Sequence, residues 1–172
     1  MNSLTDSEII DALYKASRAG VRIRLNVRGT CALRPGIDGT SANIEVVSIV
    51  DRFLEHSRIY YFLNGGDEDV YLASADWMTR NLDKRIELMF PIEKVDHKAR
   101  IVHALRAMFA DTEKSWRLQA DGTYVRRRRA KGDPPFRVQQ ELQSDAQRAS
   151  LAREGAGVTF RPEQRQARQR GG

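Results

Sequence analysis

The sequence has little of what marks secreted, disulfide-bonded or membrane-spanning proteins. Among its 172 residues there is one cysteine, Cys31, which excludes an internal disulfide and any metal site made of several cysteines. No apolar run approaches the roughly 18 residues that cross a membrane. Residues 1–6 are polar and acidic, and they resemble neither a signal peptide nor a transit peptide. We therefore expect a cytoplasmic protein, and peripheral membrane association stays open.

Net positive charge is also missing from most of the chain. Residues 1–125 hold 17 Lys and Arg against 18 Asp and Glu, a net charge of −1, whereas residues 126–172 hold 12 against 5, a net charge of +7. A basic excess is typical of proteins that bind nucleic acid or another polyanion. Because the excess lies in the tail, it says little about the rest. We expect one domain over residues 1–126 and a basic polar tail, partly helical or disordered, over residues 127–172.

The spacing of apolar residues predicts the secondary structure. Helical spacing predicts helices over residues 6–19, 44–55 and 94–110, and a polar helix over residues 139–152. Short apolar or alternating runs predict strands over residues 21–27, 59–63, 70–73, 85–90, 116–118 and 123–125. Residues 155–172, rich in Arg and Gln, are predicted to be disordered. The alternation of helices and strands predicts an α/β domain with a mixed β-sheet flanked by helices.

Two arginines near the end of the first predicted strand are candidates for anion binding. Arg28 ends that strand, and in open α/β sheets the ligand crevice lies beyond the carboxyl ends of the strands. Its planar fork of donors suits a phosphate, although from position alone a surface arginine paired with a carboxylate is the better interpretation. Arg34 lies in the small-residue loop 29–36, which could present backbone N–H groups to an anion. An ordinary connecting loop is the better interpretation of that segment.

His56 is the candidate for proton or phosphoryl transfer. It lies two residues before Arg58, between a predicted helix end and a predicted strand start. A histidine there could be a phosphate ligand, a general acid or base, or a nucleophile. The alternative is a histidine that interacts with the dipole at the end of the predicted helix. Glu55 is the nearest carboxylate in sequence that could orient it.

Polar side chains after the strand predicted at residues 70–73 extend this set. Ser74, Asp76 and Asn81 could hydrogen-bond a phosphate oxygen or orient His56. Other polar and aromatic residues nearby are better explained without a ligand. These are Trp77 and Met78 as core residues, the acidic turn 67–69 as a solvated turn rather than a metal site, and His97 and His103 as surface residues.

In order along the chain, several segments closely resemble the carboxyl-terminal catalytic domain of bacterial polyphosphate kinases of the first, histidine-phosphorylating class. They include Val27-Arg28-Gly29, Leu33-Arg34-Pro35-Gly36, Arg58-Ile59-Tyr60, Asn64-Gly65-Gly66, Ser74-Ala75-Asp76-Trp77-Met78 and Asn81-Leu82-Asp83. The resemblance runs from Met1 to roughly Phe136 and does not cover the tail. It implies a phospholipase D-like fold, in which two related halves face each other and each supplies a histidine motif.

The resemblance also implies an activity and a site. The family transfers the terminal phosphate of ATP to polyphosphate, reversibly, through a phosphohistidine and with magnesium. His56-Ser57-Arg58 is similar to a His-x-Lys motif with Arg in place of Lys, and Ser74 to Asn81 is similar to the Gly-Ser-x-Asn element that follows it. His56 is the implied catalytic residue. The implied ATP and phosphate contacts are Arg28, His56, Arg58, Arg34, Ser74 and Asn81, and no metal ligand is assigned.

In the family, the histidine that becomes phosphorylated lies in the preceding half, outside this sequence. We therefore expect a polyphosphate kinase half-site with little or no kinase activity alone, working with a separate chain that carries the first half or as a homo-oligomer. The main alternative is a non-catalytic module that binds polyphosphate or nucleic acid through the basic tail. A weaker alternative is a phospholipase D-like hydrolase in which two copies of His56 meet across a homodimer.

Overall fold

The computed structural model describes residues 1–154, and the disorder predicted for residues 155–172 lies outside them. The helices are α1 (Ser7–Arg18), α2 (Thr79–Lys84), α3 (Val95–Ala110) and α4 (Val138–Glu154), with a short 3₁₀ helix over Asn64–Gly66. The strands are β1 (Ile23–Asn26), β2 (Ile44–Ile49), β3 (Ile59–Phe62), β4 (Asp69–Ala73), β5 (Met89–Pro91), β6 (Ser115–Leu118) and β7 (Tyr124–Arg126). Within residues 1–154, no helix combines the length and the apolar character needed to cross a membrane.

Four strands form one sheet in the order β1-β2-β6-β7. β1 pairs with β2 in parallel, with Ile23 opposite Ile44, and the other pairs in this sheet are antiparallel. β2 is the central strand of the core, since four of its apolar residues are buried. The mixed sheet predicted from the order of helices and strands is therefore confirmed.

The helix predicted over residues 44–55 is wrong. Residues 44–49 form strand β2, and residues 50–58 form a connecting loop without regular secondary structure. The reason is that β2 has neighbours on both of its faces, so its β-branched residues run together instead of alternating with polar ones. A short apolar run of that kind has the same spacing in a buried strand as in a helix. The loop of residues 50–58, here called the His56 loop, carries the candidate histidine.

A second sheet contains three antiparallel strands in the order β3-β4-β5. β3 and β4 form the predicted hairpin, and the connection places Gly65 at φ 67° and Gly66 at φ 111°, where a side chain would be strained. The strand predicted over residues 85–90 begins only at Met89. Residues 85–88 instead lead from helix α2 into the sheet edge.

The amino-terminal segment joins the two sheets. Leu4 is fully buried and forms bridges to both Cys31 and Trp77, beyond the ends of β1 and β4. Asp6 then starts helix α1 as its N-cap, because its carboxylate accepts a hydrogen bond from the Ile9 amide at 3.1 Å. These contacts hold the loop after β1 and the turn after β4 next to each other.

The chain after β7 returns to the domain at the start of helix α4. Val138 is 2% exposed and belongs to a core cluster with Ile49, Ala107 and Met108. The polar helix predicted over residues 139–152 is present as α4. The domain boundary at residue 126 stays a prediction, and residues 136–139 are integrated into the packing of the preceding residues.

Candidate functional site

Arg28 lies where β1 ends, with its side chain partly buried. One guanidinium nitrogen, Nη2, donates to Asn2 Oδ1 at 2.5 Å, and the Arg28 carbonyl accepts from Ser48 Oγ at 2.9 Å. The Nε atom is buried and has no hydrogen-bond partner among residues 1–154. A buried N–H without an acceptor is costly, so a ligand oxygen that reached this donor would be bound favourably.

Arg58 is held by a carboxylate that lies 18 positions further along the chain. Its Nε and Nη2 donate to the two carboxylate oxygens of Asp76, each at 3.2 Å, and its Nη1 donates to the His56 carbonyl at 2.8 Å. Burial alone would raise the pKa of Asp76, but hydrogen bonds from Arg58 and from the Asn2 amide outweigh it and leave that pKa below its usual value. The pair therefore stays ionised and fixes the backbone at His56.

His56 itself is exposed at the end of the His56 loop. No helix precedes it, so the predicted interaction with a helix dipole does not occur. Glu55, the nearest carboxylate in sequence that could orient it, accepts instead from Gln139 Nε2 at 3.0 Å. The imidazole of His56 is thus exposed, while the backbone carbonyl of the same residue is held by Arg58.

Ser74 and Asn81 meet at a carboxylate that the sequence did not indicate. Glu87 Oε2 accepts a short hydrogen bond from Ser74 Oγ, and Glu87 Oε1 accepts from Asn81 Nδ2 at 2.6 Å. These two hydrogen bonds lower the pKa of Glu87. Asn81 is 6% exposed, and its Oδ1 has no partner among residues 1–154. The two residues are brought together around Glu87, and their predicted contacts with phosphate stay a prediction.

Arg34 lies elsewhere in the structure. Its backbone N–H donates to the Tyr14 hydroxyl at 2.8 Å, and its Nη1 donates to the Ala120 carbonyl at 3.4 Å in the turn between β6 and β7. Gly122 in the same turn has φ 88°, and a Cβ at this position would overlap Arg34 Nη1. The guanidinium is therefore packed against this turn, and its contacts are distinct from those of Arg28 and Arg58.

Two cavities open on either side of Arg28. The larger, about 890 Å³, lies between β1, β3 and α3, and its lining also includes Glu55 and Ser57. The smaller, about 260 Å³, is lined by Ser48, Trp116 and Tyr124 as well as Arg28. The larger one is of the size that holds a nucleotide-like ligand. Arg28 is thus the candidate residue with the most direct access to space for a ligand.

The remaining sequence predictions in this region are largely confirmed. Trp77 packs against the main core cluster and stacks on Tyr60 with the ring centroids 5.2 Å apart. His97 and His103 are exposed, as expected for surface residues. The roles of Gln139 and Glu87 were missed. Gln139 lies 83 positions from His56, and no local pattern connects them. Asp83 is a nearer carboxylate to Asn81 in sequence than Glu87, so spacing does not single out Glu87.

Comparison with solved structures identifies the class of domain. The chain aligns with a crystal structure titled "Crystal Structure of Polyphosphate Kinase from Porphyromonas Gingivalis" with a TM-score of 0.84 and 38% sequence identity, over 88% of this chain and 23% of that chain. The predicted α/β fold of the phospholipase D type is confirmed by this match.

Sequence comparisons then identify the family. The model described as "Polyphosphate kinase C-terminal domain 2" matches residues 1–139. Polyphosphate kinase from Rhodopirellula baltica is 54% identical over 142 residues, which are 83% of this chain and 17% of the relative. Polyphosphate kinase from Pseudomonas aeruginosa is 62% identical over 126 residues, which are 73% of this chain and 18% of the relative. The chain belongs to the polyphosphate kinase family, as its C-terminal domain 2, and spans less than a quarter of these relatives' length.

Proposed function

We propose that the chain supplies one half of a polyphosphate kinase site, which transfers the terminal phosphate of ATP to polyphosphate and back. We place it in the cytoplasm. The observation that carries the proposal is Arg28, which lines two cavities and whose buried Nε has no acceptor among residues 1–154. A charged donor held in that state favours an anionic ligand, and a phosphate oxygen supplies the acceptor it lacks.

The roles of the other residues follow from their contacts. His56 is exposed and free to meet a phosphoryl group, either as a ligand or as a general acid or base. Arg58 contributes positive charge beside it while Asp76 and the His56 carbonyl hold its guanidinium in place. Phosphoryl transfer depends mainly on positioning and on charge stabilisation, and these residues supply both from one side of the phosphate. Arg34, Ser74 and Asn81 remain predicted phosphate contacts by resemblance to the family.

ATP with Mg²⁺ is the proposed cosubstrate. Residues 1–154 gather no group of three His, Cys, Asp or Glu side chains that could hold a metal ion. Because Mg²⁺ is commonly held by one or two carboxylates together with substrate phosphates, we place it on the ATP phosphates, shared with the missing half of the site, and derive no step through it. ATP carries phosphate oxygens that bind Mg²⁺ themselves, as is common in kinases.

We further propose that this chain needs a partner that carries the phosphorylated histidine, either a separate chain or another part of a longer polypeptide. Without that nucleophile the covalent route through a phosphohistidine is closed, and the phosphate is held from one side only. The 172-residue chain incubated with ATP, Mg²⁺ and polyphosphate is expected to form no polymer and no ATP from ADP. Clear turnover by the chain alone would contradict the requirement for a partner.

The site assignment is tested by adding a polypeptide that holds the remaining polyphosphate kinase domains. In the restored pair, Arg28→Ala and His56→Ala are each expected to lower activity by about a hundredfold or more, the scale of losing one positioned charge or proton-transfer group. Arg117→Ala is the matched control, because the Arg117 side chain is 60% exposed on β6. Equal activity of Arg28→Ala and Arg117→Ala would refute the role of Arg28.

A second candidate function, polyanion binding, is favoured by the exposed arginines at residues 126–129 and the net charge of +7 after residue 125. Against it, Arg126 and Arg127 donate to the carbonyls of Glu113 and Phe109, as structural contacts do. The test uses a variant that ends at residue 154, because Val138 is buried and residues up to α4 are needed for packing. In this variant Arg128 and Lys131 are also replaced by uncharged residues. Unchanged, salt-insensitive binding of polyphosphate would exclude this function.

A further inference from the structure

The His56 loop needs support from outside itself. Residues 50–58 contain no helix or strand, and the side chains of Val50, Phe53 and Leu54 are 59%, 48% and 62% exposed. A loop with so little buried apolar surface opens easily unless other contacts hold its backbone. Arg58 binds the carbonyl of His56 at one end. The middle of the loop is held by a residue 86 positions away.

That residue is Gln139, which is 6% exposed. Its Oε1 accepts from the Phe53 amide at 2.8 Å, and its Nε2 donates to the Phe53 carbonyl at 2.8 Å. The side-chain amide thus makes the paired hydrogen bonds that a neighbouring strand would make with Phe53. The same Nε2 donates to Glu55 Oε1 at 3.0 Å, next to His56 in sequence.

Gln139 is itself anchored by its two preceding residues. The Val138 amide donates to Asp111 Oδ2 at 2.8 Å, and the Val138 side chain is buried in the core. Arg137 binds both carboxylate oxygens of Asp51, at 2.8 and 2.6 Å, at the start of the His56 loop. The Asp51 side chain is only 1% exposed. Residues 137–139 therefore hold the loop while being anchored to Asp111 and to the core.

We propose that Gln139 is a positioning residue for the candidate phosphate site: its side-chain amide fixes the His56 loop and thereby the placement of His56. This role rests on the function proposed above, but the hold on the loop can be measured without any ligand. Gln139 does not touch the reacting groups, and acts through the Phe53 backbone and Glu55. The position of the C-terminal helix α4 thus becomes part of the site, although it follows the predicted domain boundary.

The test compares four variants of the full chain. Gln139→Ala removes all three hydrogen bonds. Gln139→Glu keeps an acceptor for the Phe53 amide but loses the donor and places a second carboxylate beside Glu55. The matched control is Gln140→Ala, the exposed neighbour on the same helix turn. Adding Glu55→Gln to Gln139→Glu supplies a new donor next to the new carboxylate.

Two measurements separate the hold on the loop from the proposed function. The first is amide hydrogen exchange, in which Phe53 is expected to exchange faster in Gln139→Ala than in wild type, with the amides of β2 unchanged. The second is binding of inorganic tripolyphosphate, which is expected to weaken about tenfold in Gln139→Ala and Gln139→Glu, since apparent affinity falls with the fraction of competent molecules. Glu55→Gln in the Gln139→Glu background is expected to recover part of that loss.

Each outcome decides a separate point. Unchanged exchange at Phe53 in Gln139→Ala would overturn the inference outright. Faster exchange with unchanged tripolyphosphate affinity would show that Gln139 holds the loop but does not position the site, which also overturns it. If the wild type itself binds no tripolyphosphate, the proposed function fails for this chain, and the exchange data alone decide whether Gln139 fixes the loop. Faster exchange of the β2 amides in Gln139→Ala would show that this variant has a folding defect. In that case the tripolyphosphate affinity of Gln139→Glu, with and without Glu55→Gln, decides whether Gln139 positions the site.

Discussion

Breaking the Arg58–Asp76 pair is expected to destabilise the protein in a way that depends on pH. The side chains are 19% and 6% exposed, and two charge-assisted hydrogen bonds of 3.2 Å join them. Hydrogen bonds to charged groups each contribute roughly 1.5–3 kcal/mol, but these two are long and partly exposed. In Arg58→Ala, Asp76 also keeps its hydrogen bond from the Asn2 amide. We therefore expect Arg58→Ala to lower the free energy of unfolding by about 2 kcal/mol, and Asp76→Ala by about 3 kcal/mol.

The double variant Arg58→Ala/Asp76→Ala measures how much of the two losses in unfolding free energy comes from the interaction between Arg58 and Asp76. Because the residues are in direct contact, the sum of the single losses should exceed the loss in Arg58→Ala/Asp76→Ala by about 1–2 kcal/mol. Urea denaturation followed by tryptophan fluorescence is a suitable assay, since Trp77 is adjacent to Asp76. Arg24→Ala is the control, because Arg24 pairs with Glu45 at the surface and its loss should cost less than about 1 kcal/mol.

The pH dependence has a defined sign. The folded-state pKa of Asp76 is lowered, so its contribution is fully present above the usual carboxyl pKa and is lost as the pH falls through the folded-state value. The stability difference between wild type and Arg58→Ala should therefore be largest at neutral pH and shrink below about pH 4. A coupling below about 0.5 kcal/mol, or a stability difference that stays constant with pH, would refute this account of the pair.

Two further substitutions test how turns hold the frame around the site. Asp111→Asn keeps the Oδ1 acceptor for the amides of Glu113 and Lys114 but loses the acceptor for the Val138 amide. Thermal unfolding should show that the free energy of unfolding falls by about 1–3 kcal/mol. An unchanged free energy of unfolding would mean that this contact does not anchor α4. Gly122→Ala and Gly132→Ala should both lower the melting temperature, because both positions have positive φ. Gly122→Ala should cost slightly more, since its Cβ displaces the guanidinium at the flexible end of Arg34. A larger loss in Gly132→Ala than in Gly122→Ala would contradict this.

Local patterns predicted the elements whose signals lie within a few neighbouring residues. Helix α1 has its N-cap at Asp6 and a glycine at position 20 with φ 88°, and both are visible in the sequence. The β3–β4 hairpin has Asn64-Gly65-Gly66 at its turn. The prediction failed at β2, because burial on two faces removes the alternation by which a strand is usually distinguished from a helix.

Partners of the candidate site residues were less predictable than the residues themselves. Glu55 is next to His56 in sequence, yet it pairs with Gln139, because neighbours in an extended loop point in different directions. Arg58 meets Asp76 because β4 returns beside β3, and Ser74 and Asn81 meet at Glu87 because the segment before β5 runs beside the end of β4. No spacing rule connects these residues, since their contacts depend on strand register and loop path.

The sequence by itself determined the family and the helices and strands that have caps, turns or clear periodicity, because those signals are local and the motifs occur in order. It also determined which arginines and which histidine are candidates for the phosphate site. Only the tertiary structure decided that Arg28 keeps a buried free donor, that Arg58 is held by Asp76, that Arg34 packs against a distant turn, and that residues 137–139 support the His56 loop. Those outcomes depend on hydrogen bonds and burial between segments far apart in the chain, which packing of the two sheets and α4 brings together.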